Sequence, residues 1–126
     1  MTILAVLLGG AVGTGLRLAV DAVLPHAPDE LPLGTLLINV LGSFVLGVLV
    51  ARVWPVAPGW LRAGLGTGVL GSFTTFSAVA LAAVTLTTAG MGWVAVGYVA
   101  VSIFGGVVAA LLGLRLGAPA PTRARS

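Results

Sequence analysis

The chain has 126 residues, of which 59% are hydrophobic and 7% charged, with a mean hydropathy of +1.19. A soluble domain carries charge on roughly a quarter of its residues, so six basic and three acidic side chains describe a membrane protein. Zero Cys and one His exclude disulfides, thiol chemistry and zinc constellations, and arginines at segment ends read as membrane topology and not as a nucleic-acid patch.

Four apolar runs, about 2–24, 33–54, 60–88 and 92–116, each reach the roughly 20 residues that a helical span needs. They predict a single all-α domain over 1–116, followed by a polar tail over 117–126. Connections of a few residues make successive spans antiparallel. The first run has no basic segment ahead of it, so a cleaved signal peptide is not expected. Arg17 lies near its end, one turn before Asp21. It either snorkels to the interface or lines a vestibule that gathers anions.

A polar loop with His26, Asp29 and Glu30 leads to the second span. There Thr35, Asn39 and Ser43 recur at every fourth residue and so share one face. Trp54, Trp60 and Trp93 suit interfacial belts. The third run is too long, because 29 residues make a helix of about 44 Å against a hydrocarbon core of about 30 Å. It also collects Gly64, Gly66, Gly68 and Gly71 ahead of Ser72, Thr74, Thr75 and Ser77. We expect a helix broken around 71–75, where irregular backbone must face protein, water or an ion. In the fourth span Tyr98 and Ser102 lie one turn apart, continued by Gly105 and Gly106.

All three acids, Asp21, Asp29 and Glu30, sit at or beyond the end of the first span. A proton-coupled exporter needs a carboxylate within the membrane, so a passive pathway is favoured. Neutral N–H and O–H donors suit an anion that must shed water and still move on. The same Ser and Thr side chains also serve as hydrogen bonds between helices. Asn39, deep in its span, reads as functional. Phe76 follows the break, and an aromatic ring edge is electropositive enough to face an anion. Pairs such as Gly9/Gly13, Ser43/Gly47, Gly64/Gly68 and Ala109/Gly113 predict close helix packing. Four small helices enclose no pathway alone, which predicts at least a dimer.

Three blocks resemble the Fluc (CrcB) family of fluoride channels. They are Gly9-Gly-Ala-Val-Gly-Thr-Gly-Leu-Arg17, Gly34-Thr-Leu-Leu-Ile-Asn-Val-Leu-Gly-Ser43 and Gly68-Val-Leu-Gly-Ser-Phe-Thr-Thr-Phe-Ser77. The resemblance implies an antiparallel dimer with two narrow pores in the membrane, conducting fluoride passively and lowering its cytoplasmic level, with no enzymatic step. It implies a structural sodium ion, not transported, on the carbonyls of Gly71 and Thr74. Thr35, Asn39, Phe76, Tyr98 and Ser102 map onto its pore-lining positions. Two positions depart from the family pattern, Val79 at its second pore phenylalanine and Gly106 at a fourth-span serine. The alternatives are a small proton-coupled multidrug-type exporter, or a subunit with no complete pore of its own.

Arg52, Arg62, Arg115, Arg123 and Arg125 fall on the side of both termini, with Asp29, Glu30 and Arg17 opposite. The positive-inside rule then puts both termini in the cytoplasm of a bacterial-type inner membrane. So fixed an orientation predicts a heterodimer with an oppositely oriented homologue, with a homodimer as the alternative.

Overall fold

A computed structural model describes residues 1–119, so Arg123, Arg125 and most of the expected tail lie outside the described residues. Those residues form an all-helical protein whose four long helical stretches, Thr2–Val23, Leu33–Val53, Gly59–Thr88 and Gly92–Gly117, are long and apolar enough to cross a membrane. It is a multi-pass membrane protein. In chain order the α-helices are α1 (Thr2–Val23), α2 (Leu33–Val48), α3 (Gly59–Ala63), α4 (Gly71–Phe73), α5 (Phe76–Thr88) and α6 (Gly92–Gly117). Wide π-helical turns over Leu49–Val53 and Gly64–Leu70 extend the second span and join α3 to α4. Leu4, Leu7 and Leu8 of α1 and Val101, Phe104 and Val108 of α6 are exposed apolar side chains on the outside of the bundle.

The bundle is two close helix pairs, α1 against the third span and α2 against α6. Glycine sets both approaches. A Cβ at Gly9 would collide with the Gly64 carbonyl, and one at Gly13 with the Val69 carbonyl. In the second pair, Gly47 lies against the Ala110 carbonyl and Gly113 against that of Phe44. The small-residue spacing read from the sequence therefore becomes backbone contact. Gly13→Ala or Gly47→Ala is expected to destabilise the protein by about 1–3 kcal/mol or more through overpacking. Gly97→Ala, where no neighbour lies within 4 Å, is expected to leave stability equal or slightly raised. Thermal unfolding in detergent checks both.

The third span breaks within the expected stretch. Gly71 itself stays helical at φ −63°, ψ −28°. Thr74 and Thr75 are the extended residues, at φ −76°, ψ 154° and φ −150°, ψ 116°. The Thr75 hydroxyl then caps α5 by accepting from the Ala78 N–H at 3.2 Å. A tight turn closes α5 onto α6 through Gly90, whose φ of 79° suits glycine. There the Met91 N–H donates to the Leu86 carbonyl at 2.8 Å. Val79, Ala82, Leu86, Ala95 and Tyr98 form the buried cluster between α5 and α6.

Candidate anion groove at the helix break

The break is held from the second span. The Thr75 N–H donates to Asn39 Oδ1 at 2.8 Å, and Asn39 Nδ2 donates to the Thr75 carbonyl at 2.9 Å. One side-chain amide thus satisfies both backbone groups of an extended residue that no neighbouring strand could serve. Because Thr75 N–H turns to Asn39 and Thr74 N–H donates to Leu70 at 2.9 Å, neither reaches the Gly71 carbonyl. That oxygen loses the partner a continuous helix would give it.

Around the break runs a groove of about 1000 Å³. Asn39, Ser43, Thr67, Thr74, Phe76 and Ser102 supply much of its lining, with Gly71 and Gly106 in its wall and Arg62 also on it. Its lining holds neutral oxygens, amides, apolar groups and one guanidinium, with no carboxylate. Phe76 is 78% exposed although it follows the break directly. Val79, one turn on, is 4% exposed and packs into the α5–α6 cluster while still edging the groove. The Trp54 indole N–H, on the same groove, is buried without an acceptor.

The remaining sequence candidates take separate places. Thr35 is buried and lines a second cavity, of about 570 Å³, beside His26 and Pro32. Tyr98 is buried in the α5–α6 cluster and its hydroxyl donates to the Pro32 carbonyl at 3.1 Å, tying α6 to the start of α2. Ser102 reaches the groove, but its hydroxyl donates to the Tyr98 carbonyl at 2.8 Å. Arg17 is half-buried on α1 and is not among the residues lining the groove. The structure therefore joins Asn39, Phe76, Ser102, Gly71 and Thr74 around one groove and sets Thr35, Tyr98 and Arg17 apart from it. Ser43 and Thr67 join the groove as well. Ser43 was visible in the four-residue repeat, whereas Thr67 gave no signal in a run of glycines.

Residues 4–114 match the family model described as CrcB-like protein, Camphor Resistance (CrcB). The chain belongs to the CrcB family. Among its relatives, a protein of Deinococcus radiodurans called Fluoride-specific ion channel FluC is 47% identical over 119 residues, covering 88% of this chain and 90% of that protein. A protein of the same name from Pseudomonas putida is 42% identical over 117 residues, covering 90% and 94%. Fluoride-specific ion channel FluC 2 of Geobacillus kaustophilus is 39% identical over 123 residues, covering 94% and 95%.

Proposed function

We propose that this chain is a subunit of a fluoride-selective channel that lets the anion leave the cytoplasm passively. The observation that carries this reading is the groove, where neutral donors meet broken backbone in a membrane bundle with no carboxylate on the path. Relatives named as fluoride-specific channels support it. Conduction needs no covalent step, so the protein is not an enzyme. HF enters uncharged and dissociates inside, and a negative interior drives fluoride out with about 2.3 kcal/mol per charge per 100 mV.

The carbonyls of Gly71 and Thr74 would hold the structural sodium ion. The freed Gly71 carbonyl and a lining of neutral oxygens fit a hard cation that takes oxygen ligands. The ion would supply fixed positive charge against carbonyl dipoles that have lost their N–H partners. Orientation follows from the arginines, with both termini in the cytoplasm and the protein in the inner membrane.

A second chain would cover the groove, since exposed Phe76 and half-buried Asn39 and Ser43 form an incomplete wall. Val79, turned into the core, and Gly106, without a side chain, favour a partner that supplies what this subunit lacks. That partner is an oppositely oriented homologue.

Purified from its native membrane with whatever subunit accompanies it, the protein is expected to release fluoride from liposomes, read with a fluoride electrode. The rate should be the same with and without a proton gradient. Efflux that requires the gradient would establish an exporter instead.

A further inference from the structure

Two of the hydroxyls on this groove have already given their proton to a backbone carbonyl. Ser102 donates to the Tyr98 carbonyl at 2.8 Å, and Thr74 donates to the Leu70 carbonyl at 2.9 Å. Thr75 Oγ1 accepts from the Ala78 N–H and is occupied further by Ser77 Oγ at 3.1 Å, a pair in which either hydroxyl can donate. Asn39 commits one amide proton to Thr75 and keeps one. Ser43 differs. It takes part in none of these bonds, it lines the groove, and it lies one turn from Asn39 on the same face of α2.

The wall facing Ser43 keeps that hydroxyl open. A Cβ built on Gly106 would stand 3.4 Å from Ser43 Oγ, in ordinary van der Waals contact. A larger residue at 106 would cover the hydroxyl, and glycine does not. Thr67, also on the groove, is exposed on the third span, whereas Ser43 is half-buried. Partial burial strengthens a hydrogen bond to an ion by lowering the local dielectric.

We propose that Ser43 is an anion-contacting residue, its free hydroxyl serving with the second Asn39 N–H as a donor pair for dehydrated fluoride, and that Gly106 keeps it accessible. This rests on the channel reading, and one set of chromosomal alleles in the native host separates the two. Deleting the gene should raise the fluoride the cells retain, and retention unchanged by deletion would overturn the channel reading itself.

Given that rise, Ser43→Ala should slow fluoride efflux from the reconstituted native assembly by about tenfold per unit of protein, the scale of one lost hydrogen bond to a charged group. Ser43→Thr keeps the hydroxyl and should stay within about twofold of wild type. Gly106→Ala leaves Ser43 in place but shields it, and should slow efflux several-fold. Efflux of Ser43→Ala within about twofold of wild type overturns the proposal. So does an equal loss in Ser43→Thr, which would assign the position to packing, or an unchanged rate in Gly106→Ala.

Discussion

Replacing Asn39 with Ala is expected to cut fluoride efflux at least about a hundredfold, more than any other single change in the groove. Two effects combine. The variant leaves the Thr75 N–H and carbonyl without the bonds they make at 2.8 and 2.9 Å. A fully buried polar group left unpaired costs about 1–3 kcal/mol, and these half-buried ones cost up to that, since no intrahelical partner exists at an extended residue. The break then loses the geometry that frees the Gly71 carbonyl and turns Phe76 outward. The groove also loses an N–H donor, worth about tenfold or more toward a charged partner. Asn39→Asp separates the two effects, because it still accepts from Thr75 N–H but sets a carboxylate against the Thr75 carbonyl and the passing anion. It should conduct no better than Asn39→Ala. Faster hydrogen exchange over residues 70–80 in Asn39→Ala would locate the damage at the break. Efflux within about threefold of wild type would deny Asn39 both roles.

The broad architecture was legible because membranes simplify the code. Apolar length alone marked four spans, and the cluster of small and hydroxyl residues marked the third as broken. The identity of the breaking residues was less visible. The glycines, which have the lowest helix propensity after proline, stay helical or π-helical, and Gly64 and Gly68 serve instead to admit α1. Two threonines leave the helix, and Asn39, 36 residues before Thr75, supplies the partner for both backbone groups of the second of them. A pairing that distant has no local signature.

The hydroxyl stripes show the same limit. Periodicity put Thr35 with Asn39 and Tyr98 with Ser102, yet a face along one helix meets different neighbours at different depths. Thr35 faces a second cavity and Tyr98 ties itself to Pro32, while Ser43 opens to the groove. Which proton each hydroxyl has already given away depends on rotamer and packing, and sequence spacing is silent on both. Trp54 is a further example. Its position suits an interfacial belt, but its indole N–H is buried.

The other large effect concerns assembly, and the chain expressed alone is expected to give at least about tenfold less efflux than when co-expressed with the oppositely oriented homologue proposed above. The charge balance supplies the first reason. Five arginines lie on the side of both termini, against Arg17 with Asp29 and Glu30 on the other, and short loops are where such a bias fixes orientation most strongly. Nearly every copy should therefore insert the same way, so an antiparallel pair of identical copies would be scarce. The groove supplies the second. Val79 is turned into the core at 4% exposure, so two identical walls would both present Phe76 as their one exposed aromatic at the break. An oppositely oriented homologue that presents a second aromatic ring to the groove would supply what this wall lacks. A protease-cleavable tag on the C-terminus should be cut from the cytoplasmic side alone, and co-expression with such a homologue should restore efflux. Full efflux from the lone chain, with its tag cut from both sides, would establish a dual-topology homodimer in its place.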